Sequence, residues 1–173
     1  MANQPPGDGP AGLGRQHDPD PEYASGDGSL RWVEVAAGLV FRNRRLLITR
    51  RSVGTHLAGL WEFPGGKREA GETWEACLAR ELREELDVEV VVGGLFEEVR
   101  HEYPGKAVHL RFFRCRIAHG EPRPVGCAEL AWVTRERLRD YAFPEADATL
   151  LDRLETLEAA WDDGPDLTGT VGS

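Results

Sequence analysis

Five ionisable residues crowd one short stretch of this chain: Glu72, then Arg80, Glu81, Glu84 and Glu85. The stretch opens on Gly65-Gly66-Lys67-Arg68-Glu69-Ala70-Gly71, and a glycine loop leading into a charged, solvated helix is its ordinary explanation. Helix geometry argues against that. At about 100° per residue, with Trp74 at the origin, Leu78, Leu82 and Leu86 fall near roughly 40°, 80° and 120° and Cys77 near roughly 300°. That apolar arc must face a core. Glu81, at roughly 340°, and Glu85, at roughly 20°, point inside it, while Glu84 lies on its edge at roughly 280° and Arg83 points the opposite way. Carboxylates on a core-facing stripe are costly without compensation, and at i, i+3 and i+4 they repel one another. A hard cation resolves both problems, because Mg²⁺ (or Mn²⁺) takes oxygen ligands and keeps positions open for phosphates. One arginine cannot neutralise the cluster, and Arg80 is better placed to orient a neighbouring carboxylate. Two explanations stand at this point, a metal–phosphate site and an unusual salt-bridge network.

The pattern Gly66-x5-Glu72-x7-Arg80-Glu81-Leu82-x-Glu84-Glu85-x-Asp87-Val88 resembles the Nudix box, the signature of hydrolases that cleave nucleoside diphosphates linked to another group. One position departs: the family usually has glycine where this chain has Asp87. That glycine ends the helix in a left-handed conformation, which aspartate tolerates less well. Arg50-Arg51, His56 and Glu62-Phe63-Pro64-Gly65-Gly66-Lys67 are similar to the matching stretch of MutT-type members, which hydrolyse 8-oxo-dGTP to the monophosphate and pyrophosphate. Phe143-Pro144-Glu145-Ala146-Asp147 falls where those enzymes have a base-reading loop, with Asp147 at the position of their asparagine. Related CTP pyrophosphohydrolases also look like this chain, in an Ala-Asp in that loop and in the approach Ala58-Gly59-Leu60-Trp61-Glu62-Phe63.

The resemblance implies that water attacks the β-phosphorus of a nucleoside triphosphate and displaces a nucleoside monophosphate. It implies a Mg²⁺ ion held by Glu81, Glu84, Glu85 and the Gly65 carbonyl, with Arg80 completing the catalytic set. Such an ion lowers the pKa of the attacking water. It further implies that Arg51, His56, Glu62, Phe63 and Asp147 bind substrate; for Lys106, in the loop between strands, contact with phosphate and contact with water alone both stand open. MutT-like enzymes bring an additional glutamate from a loop about six residues before a tryptophan. Counting back from Trp132 gives Gly126, and the nearest carboxylate is Glu129. Either Glu129 swings in, or a box glutamate serves as base, or the reaction is slow. The rivals are a CTP/dCTP pyrophosphohydrolase and a non-catalytic Nudix module that binds a nucleotide. Such modules typically lose the box glutamates, which this chain keeps.

Around that motif, the chain must supply elements to hold it. Trp32 to Phe41 and Leu46 to Thr49 read as a hairpin across Asn43-Arg44-Arg45. Leu60 to Phe63 is a short strand ended by Pro-Gly-Gly, and Thr73 to Leu86 is a helix. Glu89 to Glu98 and Ala107 to Ile117 are strands joined through His101 to Gly105. Leu130 to Val133 is another strand, Thr134 can N-cap a brief helix to Tyr141, and Glu145 to Trp161 reads as helix. The expectation is an α+β domain over 31–161, an α/β/α sandwich with a mixed central sheet and the box as loop–helix. Trp61, Trp132 and Trp161 are read as packing residues.

The 173 residues carry 21 basic and 30 acidic side chains, a net charge of −9. Residues 1–30 and 162–173, rich in Gly, Pro and Asp, hold most of that excess and are expected to be disordered tails. An acidic balance argues against duplex nucleic acid as a partner, and a mean hydropathy of −0.44 argues against a membrane protein. Cys77, Cys115 and Cys127 form no CxxC pair and suggest a reducing compartment. With no signal-peptide pattern at the N-terminus, the expected location is cytoplasmic, as monomer or homodimer.

Overall fold

The order of elements follows from where the sequence alternates and where it breaks. The computed structural model describes residues 32–103 and 106–162. In it β1 (Trp32–Arg42) and β2 (Arg45–Arg50) form a hairpin across Asn43 and Arg44. Both turn residues are left-handed, at φ 53° and 54°, the two-residue geometry that matches the twist of paired strands. Two short strands follow, β3 (Trp61–Glu62) and β4 (Gly65–Lys67), then helix α1 (Trp74–Leu86). A long pair, β5 (Glu89–Tyr103) and β6 (Lys106–His119), precedes β7 (Glu129–Val133) and helix α2 (Ala148–Thr156).

The sheet runs β3-β2-β1-β6-β5, with β4 added to β1 and β7 to β2. β1 and β6 are parallel and the other pairs antiparallel, so the sheet is mixed, as expected. β1 divides its length between partners. Val35–Ala37 pair with β4, and Phe41–Arg42 with β2. Between them the Gly38 N–H donates to the Pro64 carbonyl at 2.8 Å, which seats the Pro-Gly-Gly loop on the middle of the sheet.

Successive strand residues face opposite ways, and the two cores follow that alternation. Ala36, Val40, Leu47 and Phe113 pack under Leu78, Leu82 and Leu86 of α1. Ala37, Leu39, Ile48 and Phe112 pack under Leu150 and Leu154 of α2 and under Trp161. Helices thus cover both faces, giving the α/β/α sandwich. Trp161 is buried and donates its indole N–H to the Leu154 carbonyl at 2.7 Å. Trp61 lies edge-on to Tyr141, and Trp132 lies beneath the Arg42 guanidinium.

Three expectations are corrected. β5 continues through His101 to Tyr103, because antiparallel pairing with β6 outweighs the polar composition there. Glu145–Trp161 is not one helix but a 3₁₀ turn (Glu145–Asp147), α2 and a second 3₁₀ turn (Glu158–Trp161). The break at Leu157, with ψ 82°, lets Trp161 turn back into the core. Thr134 precedes a 3₁₀ helix (Arg135–Asp140) but its side chain caps nothing. The expected tails lie outside the described residues except at Asp162, as do the Pro104-Gly105 turn and the Lys106 side chain. No helix among the described residues is long and apolar enough to cross a membrane.

α1 begins where Thr73 Oγ1 accepts from the Ala76 N–H at 3.1 Å, an N-cap bond. It ends at Asp87, which adopts the left-handed conformation, φ 57° and ψ 42°, and donates its N–H to the Arg83 carbonyl. The departure from glycine therefore leaves the helix end intact, and the Asp87 carboxylate pairs with Arg123. Asp87→Gly should remove a left-handed strain of about 1 kcal/mol at the loss of an exposed ion pair worth less than that. The expected outcome is a higher melting temperature, by less than the roughly 2–4 °C that a full 1 kcal/mol would give, read by thermal unfolding; a lower one would mean the Arg123 pair outweighs the strain.

Candidate active site

Glu81 lies where α1 meets β4. Its carboxylate carbon sits 2.3 Å from where a Cβ on Gly66 would be, so only glycine leaves room for it at that position. Gly65 is pressed against β1 in the same way, with its would-be Cβ 2.1 Å from the Ala36 carbonyl oxygen. The Pro-Gly-Gly loop is thus a backbone surface against which helix carboxylates rest.

Arg80 organises the helix side of this surface. Its Nε and Nη2 donate to the two carboxylate oxygens of Glu72 at 2.7 and 3.0 Å, and its Nη1 to Glu81 at 2.8 Å. Nη2 also reaches the Lys67 carbonyl at 3.2 Å. The bond from Arg80 holds Glu72 down at about 2. Glu84 is mostly exposed and touches Arg80 only at 3.4 Å, in keeping with its place on the edge of the helical arc.

Glu85 is in the opposite situation. Burial first, then repulsion from Glu62 and Glu81, push its carboxyl up to about 7, partly offset by a hydrogen bond from the Gly65 backbone. Glu62, on β3, is itself raised by burial against the pull of Arg51. Three carboxylates from two elements therefore crowd one place, with a single guanidinium on either flank. Among the described residues, no three His, Cys, Asp or Glu side chains stand at the mutual spacing of a metal cage. Glu81 is turned to Arg80, and Glu84 outward.

Beside the carboxylates opens a cavity of about 160 Å³. Val35, Ala37, Val108 and Leu110 line it from the sheet, and Phe63 and Phe112 add aromatic wall. Phe63 is buried and stacked on Phe143 at 5.2 Å, so its ring belongs to the core as well as to the cavity wall. Arg51 pairs with Glu62 and donates its Nε to the His56 carbonyl at 2.6 Å, fixing the 52–59 loop at the rim. The exposed His56 ring lies edge-on to Tyr103 at 6.2 Å. Asp147 is 6% exposed, and its side chain makes no cap bond to the helix that follows. Burial, then Glu62, raise its carboxyl to about 7.

The structure therefore brings together Arg51, His56, Glu62, Phe63, Gly65 and Asp147 around the cavity, next to Glu81 and Glu85, and leaves Glu84 at the margin. Two features were not read from the sequence. Tyr103 lines the cavity and receives a hydrogen bond from the Ala146 backbone. The aromatic before Pro104-Gly105 was the available signal. Gly126 lies against Glu85, its would-be Cβ 3.2 Å from the Glu85 Cα and Cγ, and its N–H and that of Val125 donate to the Glu85 carbonyl. A side chain there would need Glu85 to give by a few tenths of an ångström. Glu129, the alternative carboxylate, stands opposite Arg50 in the β2–β7 register and pairs with it at 3.5 Å.

Residues 36–153 match the NUDIX domain family. The chain is 34% identical over 131 residues to the CTP pyrophosphohydrolase of Escherichia coli, covering 76% of this chain and 97% of that protein. It is 39% identical over 124 residues to the 8-oxo-dGTP diphosphatase of Haemophilus influenzae, covering 70% of this chain and 90% of that protein. Among solved structures, the E. coli ORF135 protein is similar with a TM-score of 0.66 at 34% identity, over 79% of this chain and 98% of that one.

The raised proton affinity of Asp147 has a sign that can be checked. Below about pH 4 the residue holds its proton in the folded and unfolded chain alike. From there up to about 7 the folded chain keeps a proton that the unfolded chain has released. Stability from this group therefore falls as pH rises through that window. Asp147→Asn should raise the melting temperature of the metal-free protein more at pH 8 than at pH 5. Equal gains at both would mean the carboxylate ionises without penalty.

Proposed function

The chain belongs to the NUDIX domain family, and from that premise we propose that it is a divalent-metal-dependent nucleoside triphosphate pyrophosphohydrolase that prefers 8-oxo-dGTP. The observation that carries this reading is Glu85, buried beside Glu62 and Glu81 with its carboxyl pushed up to about 7. Three crowded carboxylates on a core-facing surface are an excess of negative charge, and Nudix hydrolases generally need the kind of ion that neutralises it. Hard oxygen donors of this type suit Mg²⁺. Glu81, Glu85, Glu84 and the Gly65 carbonyl are the groups assigned to hold it. When bound, the cation offsets phosphate charge and lowers the pKa of the attacking water.

The chain's own residues do the rest. Arg80 orients Glu81 against the Gly66 backbone, and Arg51, at the cavity rim, meets the phosphates. Gly126 supplies no carboxylate and Glu129 is engaged by Arg50, so the proton of the attacking water is assigned to a box glutamate. The base enters the apolar cavity along the Phe63 backbone. There Asp147, as a carboxylate, accepts from the N1–H and N2 amino group of a guanine. The same carboxylate can accept from a cytosine N4 amino group, which favours CTP or dCTP as the second reading. It is the reading that the E. coli relative's name also supports. A small nucleotide held through a cation, in the reducing cytoplasm, fits the acidic balance of the chain.

Pyrophosphate release from 8-oxo-dGTP, dGTP, CTP and dCTP with Mg²⁺ tests the assignment. Release should be fastest from 8-oxo-dGTP and should fall by about 100-fold or more in Glu85→Gln, the order expected for a group that stabilises developing charge. A tenfold preference for CTP or dCTP would overturn the base assignment. Tight binding without release from any of the four would overturn the enzymatic one.

A further inference from the structure

Arg68 falls among the five positions that the box pattern leaves open, yet it is the most heavily engaged side chain of the loop. Its backbone N–H donates to the Glu34 carbonyl at 2.8 Å. Its Nε donates to Glu34 Oε2 at 2.8 Å, with Nη2 on the same oxygen. Its Nη1 crosses the loop to the Glu72 carbonyl at 2.6 Å. One guanidinium therefore ties β1 to the residue whose carboxylate receives both Nε and Nη2 of Arg80.

The anchoring end is built into the sheet. Glu34 and His109 are register partners in β1 and β6. His109, 8% exposed, lies 2.8 Å from Glu98 through Nε2, and Arg111 reaches the other Glu98 oxygen at 2.9 Å. Trp74, the first residue of α1, sits among these groups. The Arg68 guanidinium lies 5.2 Å from its ring, Arg111 4.7 Å, and the His109 ring is edge-on at 5.2 Å. Cations over an indole face are attracted by the ring quadrupole, so the start of α1 and the loop before it are gripped by one platform. From there the contacts run without a gap: the Glu34–Arg68 ion pair, the hydrogen bond from Arg68 to the Glu72 backbone carbonyl, and the Glu72–Arg80 and Arg80–Glu81 ion pairs.

We propose that Arg68 is a positioning residue, which holds the Glu72 backbone against the sheet and so sets Arg80 and the Glu81 carboxylate for the cation. The inference rests on the metal-ligand role proposed above for Glu81. The geometry demands a fork. Glu34 and the Glu72 carbonyl are held by different nitrogens of one planar group, and a lysine ammonium is a point charge that cannot reproduce that.

Arg68→Ala and Arg68→Lys test it, with Arg83→Ala as a control that removes the same charge from the exposed face of α1. Mn²⁺ affinity is read by electron paramagnetic resonance on the nucleotide-free protein, kcat and KM by pyrophosphate release, and folding by thermal melting. Both Arg68 variants should melt cooperatively and bind Mn²⁺ about tenfold or more weakly, the range typical of outer-shell partners. They should lose kcat in proportion, with KM for the nucleotide changed by less than about threefold, while Arg83→Ala matches wild type. If Arg68→Ala fails to fold, Arg68→Lys carries the comparison. Wild-type Mn²⁺ affinity in a folded Arg68 variant, or full recovery by lysine, overturns the proposal. Weakened Mn²⁺ binding in a protein whose wild type releases no pyrophosphate supports the positioning role while overturning the pyrophosphohydrolase reading.

Discussion

One guanidinium decides how charge is distributed in this protein. Arg80 reaches a strand through the Lys67 carbonyl, a loop through Glu72 and its own helix through Glu81. Its planar fork lets each contact use a separate donor direction. The consequence is an asymmetry between carboxylates of the same type. Glu72 accepts two of the donors and stays ionised far into acid. Glu85, one helical turn beyond Glu81, has no such donor and is pushed the other way by burial and by its acidic neighbours. Helix geometry brings the carboxylates together, and a single arginine divides them into a neutralised group and an uncompensated one.

That division has meaning only because the loop is held still. β1 pairs with β4 over Val35–Ala37 and with β2 over Phe41–Arg42, while β6 lies along its other edge. A strand with neighbours on both edges cannot shift without moving both cores. Gly65 is pressed onto it so closely that it has no space for a side chain, and Gly66 beside it meets the Glu81 carboxylate. The cavity opens on the α2 face and the box helix packs on the other. Cavity and carboxylates therefore meet beside β4, and Glu62 on β3 lines that junction.

Much of this was legible in the sequence, for physical reasons that differ by element. α1 was readable because its apolar residues keep the helical period and because Thr73 supplies a side-chain cap. The inward turn of Glu81 and Glu85 followed from the same arithmetic. The β1–β2 turn was readable from Asn43, a residue that adopts left-handed backbone readily. What escaped were features set by partners distant in the chain. The extent of β5 depends on its register with β6, not on its own composition. The break at Leu157 exists because Trp161 has a pocket to fill beside Phe41. Asp87 was expected to disfavour the helix end, but Arg123, from a loop that no local pattern connects to it, accompanies it there. Tyr103 joins the site only because β5 runs long enough to deliver it.

The parallel pairing of β1 with β6 has a consequence in time. The β1–β2 hairpin closes over two residues, and α1 needs only its own neighbours. Trp32 and Ala107, by contrast, pair across roughly seventy-five residues of chain, a closure whose entropic cost must be met before its contacts form. Until β6 docks, Glu34 has no His109 beside it, the cavity has no floor of Val108 and Leu110, and α1 has half a sheet to lie on. A ribosome would therefore release the whole box helix well before the strand that gives it a surface. The carboxylates spend that interval hydrated and separate, and they become a crowded site only at the folding step that joins β6 to β1.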